Sequence, residues 1–416
     1  MRAPWHLLAL VAAVGCAEQP ATSTESDTAG AGAGGHLPYE GVAFPSRRAP
    51  VPVPASGLGL VANARSDTLS AIDAGAGNVL TTLPVGRDPV TPDNPLAIVA
   101  HAATGAVYVT LAYQDLHAHL HASGGAHAQP SHIQKLALSD LSIVGEVELP
   151  EEPRGLAISS DGARLVTVHF SSPGEIAAQM SPDALEAARG RLSVIDTATI
   201  EPVFSEGPIF GSACIGARTV ALSSDGARAF VACFDEDAIA ILDLSSDDIT
   251  TQRVPSGLAP GLPGLPAHGP AALALSSDGS TLFFANELTK QVRALNTASL
   301  SVSEASSFTA QGTPVALAAG ADGSLYLLTR EPASVLRLPA ALDGPEMDER
   351  PLPSDHCTTP VAMTTTNAGR LLVACAAGSD APGRVVALDS ATLALLGSSA
   401  VGLDPRAITA IPGGSP

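Results

Sequence analysis

The sequence predicts an all-β protein, a seven-bladed β-propeller of four-stranded blades, from repeated hairpins, regular spacing and composition. One hairpin motif recurs most clearly as LAISSDGARLVTVHF (156–170), VALSSDGARAFVACF (220–234) and LALSSDGSTLFFANE (273–287). Each copy holds two short apolar strands around an Asp-Gly turn, because glycine tolerates the positive φ of a tight hairpin. The 39 glycines, 34 prolines and 15% of charged residues are typical of many turns between short apolar segments.

The spacing of the turn glycines defines the blade. Weaker hairpin copies lie at 96–112, 315–330 and 361–376, and proline or alanine begins each hairpin nine or ten residues before its glycine. A proline at the first residue of a strand loses no ladder hydrogen bond. Two further short strands follow the hairpins, as in LSVID at 192–196. Four strands in a unit of roughly 45 residues are typical of a propeller blade. The turn glycines are Gly105, Gly162, Gly226, Gly279, Gly323 and Gly369.

The seventh blade is divided between the two ends of the chain. Pro405 begins a last strand near the C-terminus, and the strands that lack a partner lie at 59–63, 68–73 and 79–85. We therefore predict that the C-terminal strand joins the N-terminal blade. This pairing closes the ring and removes free sheet edges. The predicted propeller spans residues 57–412.

Part of the first blade, VANARSDTLSAIDAGAGNVLTTLPVG (61–86), resembles the YVTN-repeat family of seven-bladed β-propellers, also called YncE-like. The motif that names the family stands at Tyr108-Val109-Thr110-Leu111. The resemblance covers residues 57–412 and implies the fold rather than a function, since members of the family bind varied partners. A lactonase-type propeller, with the same number of blades, is the alternative architecture.

The N-terminus is typical of an export signal. Met1-Arg2 is followed by an apolar stretch at 7–14 that is too short to span a bilayer. Gly15-Cys16 resembles the lipobox of bacterial lipoproteins, which implies a signal peptide over 1–16 and a lipid on Cys16. The alternative is an ordinary signal peptide, cleaved for example after Ala17. Residues 17–56 are rich in Ala, Gly, Ser, Thr and Pro and predict a flexible tether.

Four further cysteines predict two disulfides, Cys214–Cys233 and Cys357–Cys375. In each pair the first cysteine lies 12 residues before a turn glycine and the second lies six or seven after it. These positions approach each other across a hairpin. Disulfides also suit an oxidising compartment outside the cytoplasm. A zinc or copper site shared by the four thiols is the alternative, which their placement on two separate blades disfavours.

A histidine-rich insertion at 114–132 is the candidate metal site. His117, His119 and His121 alternate, so an extended backbone would present them on one side. Such imidazoles suit copper or zinc. Gly124-Gly125 could fold the chain back on itself, and the remaining candidate ligands at that end of the ring are His127, His132 and His169. Two alternatives stay open, a solvated loop without a bound metal and a hydrogen-bonded strand end at His169.

The net charge of the chain disfavours two classes of binding partner. With 41 acidic and 21 basic residues, the net charge of −20 disfavours nucleic acid and a polybasic membrane patch, so the expected membrane contact is the lipid anchor alone. No nucleophile elbow, zincin helix or phosphate-binding glycine loop is present in the sequence. Whether the protein is an enzyme stays open, with a non-catalytic role favoured.

The leading hypothesis is a binding or scaffold lipoprotein of the cell envelope. Its partner, a protein or a small ligand, would dock on the face that carries the insertions. The alternatives are an envelope metal-binding protein and a lactonase-like hydrolase.

Overall fold

The computed structural model describes residues 48–86, 93–112, 131–149, 152–169, 192–203, 214–245, 249–378 and 381–413, all within the compact unit Gly35–Pro416. These residues form seven antiparallel sheets of four strands each. The innermost strand of each sheet contacts the innermost strands of both neighbouring sheets, which closes a ring. The predicted seven-bladed propeller is confirmed.

The blades are numbered from the N-terminus, and their strands are given from the innermost outwards. Blade 1 holds β28 (Pro405–Ile411), β1 (Leu58–Asn63), β2 (Thr68–Asp73) and β3 (Val79–Pro84). Blade 2 holds β4 (Pro95–His101), β5 (Ala106–Leu111), β6 (Ser131–Ala137) and β7 (Ile143–Leu149). Blade 3 holds β8 (Pro153–Ile158), β9 (Arg164–His169), β10 (Leu192–Asp196) and β11 (Glu201–Pro202).

The remaining blades follow the same plan. Blade 4 holds β12 (Ala217–Leu222), β13 (Arg228–Cys233), β14 (Ala238–Asp243) and β15 (Thr250–Pro255). Blade 5 holds β16 (Pro270–Leu275), β17 (Thr281–Asn286), β18 (Gln291–Asn296) and β19 (Ser301–Thr309). Blade 6 holds β20 (Thr313–Ala319), β21 (Leu325–Arg330), β22 (Ser334–Leu338) and β23 (Asp348–Pro351). Blade 7 holds β24 (Thr359–Thr366), β25 (Arg370–Ala376), β26 (Pro382–Asp389) and β27 (Leu395–Leu403).

Blade 1 is assembled from both ends of the chain, as predicted. Strand β28 pairs antiparallel with β1, in a register that sets Leu58 opposite Ile411 and Asn63 opposite Pro405. Strand β28 also contacts β4 of blade 2 and β24 of blade 7. The C-terminal strand is therefore both the inner edge of blade 1 and the link between the first and last blades of the ring.

The place of a strand in its blade determines how far it is buried, and its burial determines its pattern of apolar residues. The second strand of a blade lies between the two neighbouring blades, so β1 and β5 are buried at every residue and read as continuous apolar runs. The outermost strand β3 alternates between half-buried and exposed residues. Apolar clusters join adjacent blades, and one of them packs Leu60 and Ile411 of blade 1 against Val107 of blade 2.

The repeated Ser-Ser-Asp-Gly turn is held by its aspartate. Ser159 Oγ donates to Asp161 Oδ1 at 2.6 Å, and the N–H of Ala163 donates to the same oxygen at 2.9 Å. Gly162 completes the turn with φ at 73°. Asp225 and Asp278 make the equivalent bonds. Hydrogen bonds from serine hydroxyl groups lower the pKa of all three carboxyls, and that of Asp278 falls from its ordinary 3.8 to about 2.

Acidification should weaken the fold through these turns. Because the folded-state pKa values lie below the unfolded ones, the stabilisation is fully present above the unfolded pKa and is lost as the pH falls towards the folded pKa, between about pH 4 and pH 2. Calorimetric melting temperatures should fall less steeply over that range when Asp161, Asp225 and Asp278 are all replaced by Asn. Asp343→Asn, outside these turns, is the control. If the melting temperature falls equally steeply with pH in the triple variant and in the unaltered protein, the role given to these carboxylates is wrong.

The two faces of the ring differ in what they carry. All innermost strands begin on one face, here called the mouth face, and the Asp-Gly turns lie on the other, the turn face. The chain reaches blade 1 on the turn face. There, the N–H of Val51 donates to the carbonyl of Ser139, between β6 and β7, and Gly57 lies against Gly413. Within the described residues, no helix has the length and apolar character needed to cross a membrane.

Candidate functional site

Arginine occupies one repeated position on the mouth face. The residue that follows the proline or alanine at the start of the innermost strand is Arg406 in blade 1, Arg154 in blade 3 and Arg218 in blade 4. The other four blades carry apolar residues there, Leu96, Ala271, Val315 and Val361. The backbone repeat therefore brings three guanidinium groups from three different blades to one end of the central channel.

Three cavities adjoin at this end. The wide cavity has a volume of about 540 Å³ and is lined by Arg65, Arg330 and Arg406 with Asp404. The narrow cavity, about 250 Å³, is lined by Arg154, Arg218, Arg330 and Arg406 with Glu287, and the side cavity, about 280 Å³, by Arg65, Arg154, Arg406 and Asp404. We call this group the arginine mouth. Its five arginines face three carboxylates, Asp404, Glu287 and the Glu152 that pairs with Arg154, which gives a formal excess of two positive charges in a chain whose net charge is −20.

Carboxylates hold three of the arginines in place. Arg330 Nη2 lies 2.6 Å from Glu287 Oε1, which belongs to the neighbouring blade. Arg406 Nη2 lies 2.8 Å from Asp404 Oδ2, and Arg154 Nη2 lies 2.8 Å from Glu152 Oε1.

These ion pairs leave donors available. The Arg406 and Arg330 side chains stay 51% and 41% exposed, so much of each guanidinium still faces solvent. Guanidinium forks that are fixed but partly exposed suit bidentate recognition of a carboxylate or a phosphate.

The arginines repel one another. Burial lowers the pKa of Arg154, the adjacent Glu152 carboxylate raises it, and the positive charges of Arg218 and Arg406 lower it again. Arg154 therefore lies within electrostatic range of both other strand arginines. An anion at this point would relieve the repulsion, because it would supply opposite charge where like charges converge.

Arg218 has a different support. Its guanidinium carbon lies 4.2 Å from the centre of the Phe234 ring, within the range of a cation–π contact. With the described residues, the Arg218 side chain forms no hydrogen bond or ion pair. Because the Arg218 guanidinium packs against an aromatic ring instead, its N–H groups stay available to a ligand.

The Cys214–Cys233 disulfide holds Arg218 and Phe234 together. Cys214 lies in the connection that leads to Arg218, and Cys233 immediately precedes Phe234. Cys357–Cys375 occupies the corresponding place in blade 7, and both pairs have a Cα–Cα distance of 5.2 Å. The two predicted disulfides are confirmed. Each ties the start of an innermost strand to the end of the second strand, beside residues that line the arginine mouth.

A buried carboxyl lies within electrostatic range of Arg218. Asp235 is 7% exposed, and its Oδ2 lies so close to Gly216 that a side chain there would collide with it. Burial raises the pKa of Asp235; the charge of Arg218 lowers it, and that of Asp237 raises it further. A carboxyl with a raised pKa beside a guanidinium is a candidate proton acceptor.

Asp237 fixes the loop between blades 4 and 5. Its Oδ2 accepts the N–H groups of Gly261 and Ala267, and its Oδ1 accepts those of His268 and Gly269, all at 2.7–2.8 Å. Burial raises the pKa of this carboxyl, but the four backbone bonds lower it below its ordinary value. The turn at 234–237 thus positions both Arg218 and the next loop.

The predicted metal ligands are only partly described. His117, His119, His121 and His127 lie outside the described residues, as does Cys16. His132 is buried with Nε2 3.8 Å from Glu146 Oε1, and His169 is buried with Nε2 2.8 Å from Ser193 Oγ. In the described part of the chain, no three His, Cys, Asp or Glu side chains are grouped so that they could hold a metal ion. A copper or zinc site stays a prediction.

Sequence reasoning missed the arginine mouth. The residues that begin the innermost strands were identified from their spacing, and Arg154, Arg218 and Arg406 come immediately after three of them. Comparing the next position across the repeats would have shown the pattern. Arg65 and Arg330 carry no such signal, because Arg65 lies in the connection between β1 and β2 and Arg330 is the last residue of β21, and among the described residues no other blade has an arginine at the matching place in the mouth.

Comparisons with known proteins establish the fold alone. No protein-family model matches the chain, and no curated protein matches it. The periplasmic gluconolactonase of Pseudomonas aeruginosa is similar in structure, with a TM-score of 0.60, 17% identity, and coverage of 86% of this chain and 99% of that one. A Bacteroides fragilis protein provisionally assigned as a 6-phosphogluconolactonase has a TM-score of 0.58, 16% identity, and coverage of 86% and 98%. Hydrazine synthase of Kuenenia stuttgartiensis has a TM-score of 0.52, 17% identity, and coverage of 70% and 82%.

Proposed function

We propose that this protein is an exported, lipid-anchored propeller of the cell envelope that binds a small anionic ligand at the arginine mouth without transforming it. The observation that carries the proposal is the convergence of five arginines on one end of the channel of a strongly acidic chain. Clefts of one charge sign concentrate ligands of the opposite sign. The lipobox-like sequence at Cys16 and the two disulfides support export, because disulfides persist in oxidising compartments.

Calorimetric titration of the full chain tests this binding. At low ionic strength we expect acetate, gluconate or inorganic phosphate to bind and neutral glucose not to bind, with an affinity that falls as salt is added. Replacing Arg154, Arg218 and Arg406 together by Gln should weaken the binding about 10-fold or more, because charged hydrogen bonds contribute about 1.5–3 kcal/mol each. Arg228→Gln, on the turn face of blade 4, is the control. Unchanged affinity in the triple variant would refute the proposal.

Lactone hydrolysis is the second candidate function. Of the proteins of similar structure, one is described as a gluconolactonase and one provisionally as a 6-phosphogluconolactonase, and Asp235 lies within electrostatic range of Arg218 with a raised pKa. Here Asp235 would accept a proton from the water that attacks the lactone carbonyl, and Arg218 would stabilise the oxyanion. The acyl C–O bond of the ring would then break, and Asp235 would return the proton to the leaving ring oxygen.

An acid-release assay on glucono-δ-lactone decides between the two functions. Turnover above the spontaneous rate, lowered about 100-fold by Asp235→Asn with anion affinity kept, would establish hydrolysis. No turnover by the unaltered protein would leave binding alone.

A further inference from the structure

The wide and narrow cavities share a wall. Arg406 and Arg330 line both of them, while Arg65 lines only the wide one of the two and Arg218 only the narrow one. One ligand can therefore contact the shared arginines and extend to either side of them.

The two ends of this double cavity lie across the ring. Arg65, between β1 and β2, belongs to blade 1 and Arg218 belongs to blade 4, so two blades separate them on one side and three on the other. Each end has its own guanidinium donors, and each has one carboxylate, Asp404 in the wide cavity and Glu287 in the narrow one. Both carboxylates pair with an arginine, so neither offers a separate place for a cation.

Beside the shared arginines, the uncharged residues that line the narrow cavity are apolar. The narrow cavity is lined by Leu96, Ala271 and Pro314, and Val315 lines both the narrow and the wide cavity. The side chains of these four residues offer no hydrogen-bond partner to hydroxyl groups along a ligand, but they pack well against methylene groups.

From this arrangement we infer that the ligand class is a dicarboxylate whose two carboxylates are joined by a short aliphatic chain. One carboxylate binds Arg218 and Arg154 in the narrow cavity, and the other binds Arg406 and Arg65 in the wide cavity. The inference rests on the proposed function and deepens it. Two negative charges also match the positive excess of the mouth better than one does.

A chain-length series provides the test. The full chain is titrated calorimetrically with butyrate and hexanoate as monocarboxylates, and with the α,ω-dicarboxylates from malonate to suberate. We expect one dicarboxylate length to bind about 10-fold or more tightly than the monocarboxylates, because a second contact within one molecule is made at high effective concentration. Arg218→Gln and Arg65→Gln should each remove this preference and leave an affinity similar to that for a monocarboxylate. Arg228→Gln, on the turn face, should keep it.

The outcomes separate this inference from the proposed function. If monocarboxylates and dicarboxylates bind equally, or if Arg228→Gln abolishes the preference as well, the inference is wrong while anion binding stands. If inorganic phosphate binds more tightly than every dicarboxylate, the site recognises a single multiply charged group and the inference is also wrong. If no anion binds, the proposed function itself fails.

Discussion

A chain that ends at Leu403 should fail to fold into a closed propeller. It lacks β28, so blade 1 loses its inner strand and the ring loses the contacts of β28 with β4 and β24. Ile408 and Ile411 are 8% and 2% exposed, and burying such side chains contributes about 1.5–3 kcal/mol each. The unpaired edge of β1 adds to the loss. We expect no cooperative transition in differential scanning calorimetry.

Two further samples make this result specific. A chain that ends at Gly413, which keeps all of β28, should melt like the full-length protein. A synthetic peptide of residues 404–413, added to the shorter chain, should restore a cooperative transition by supplying the missing strand. A truncated chain that melts cooperatively within a few degrees of the full-length protein would show that closure contributes little.

Asp237→Ala should be the most destabilising single substitution near the arginine mouth. It removes the acceptor for four backbone N–H groups, of which those of His268 and Gly269 take part in fully buried bonds. An unsatisfied buried donor costs about 1–3 kcal/mol, so we expect a loss of about 3–6 kcal/mol in the free energy of unfolding. Chemical denaturation of the full chain measures the change.

The backbone conformation of Asp237 needs its own control. Its φ is 51°, in the left-handed region, and Lys290 occupies the same turn position in blade 5 with φ at 57°. Lys290→Ala should lose less than about 1 kcal/mol, because its side chain makes one exposed hydrogen bond. Asp237→Asn keeps tolerance of positive φ and one acceptor oxygen, so its loss should be smaller than that of Asp237→Ala. A loss below 1 kcal/mol in Asp237→Ala would contradict the assigned role.

The fold was predictable because the blades repeat. The turns and the strand starts recur at regular spacing, so an error in assigning one residue to a strand or a turn does not change the number of blades. The divided first blade follows from counting the strands at both ends of the chain. The disulfides were predictable for the same reason, since Cys214 and Cys357 occupy equivalent positions in two blades.

The arginine mouth was not predictable in full. Arg154, Arg218 and Arg406 share a repeat position, but Glu287 and Arg330 are 43 residues apart in the chain and form an ion pair between neighbouring blades. The Phe234 ring under Arg218 depends on the disulfide and on the turn at 234–237. Such contacts arise from how the ring closes, which no local pattern encodes.

The path of the chain into blade 1 determines what an attached molecule would present to its surroundings. Val51 and Gly57 approach on the turn face, opposite the guanidinium groups. A propeller held to a bilayer through the flexible tether predicted at 17–56 would have its point of attachment on the turn face. The tether would then leave the basic opening uncovered, where water-soluble acids arrive by free diffusion.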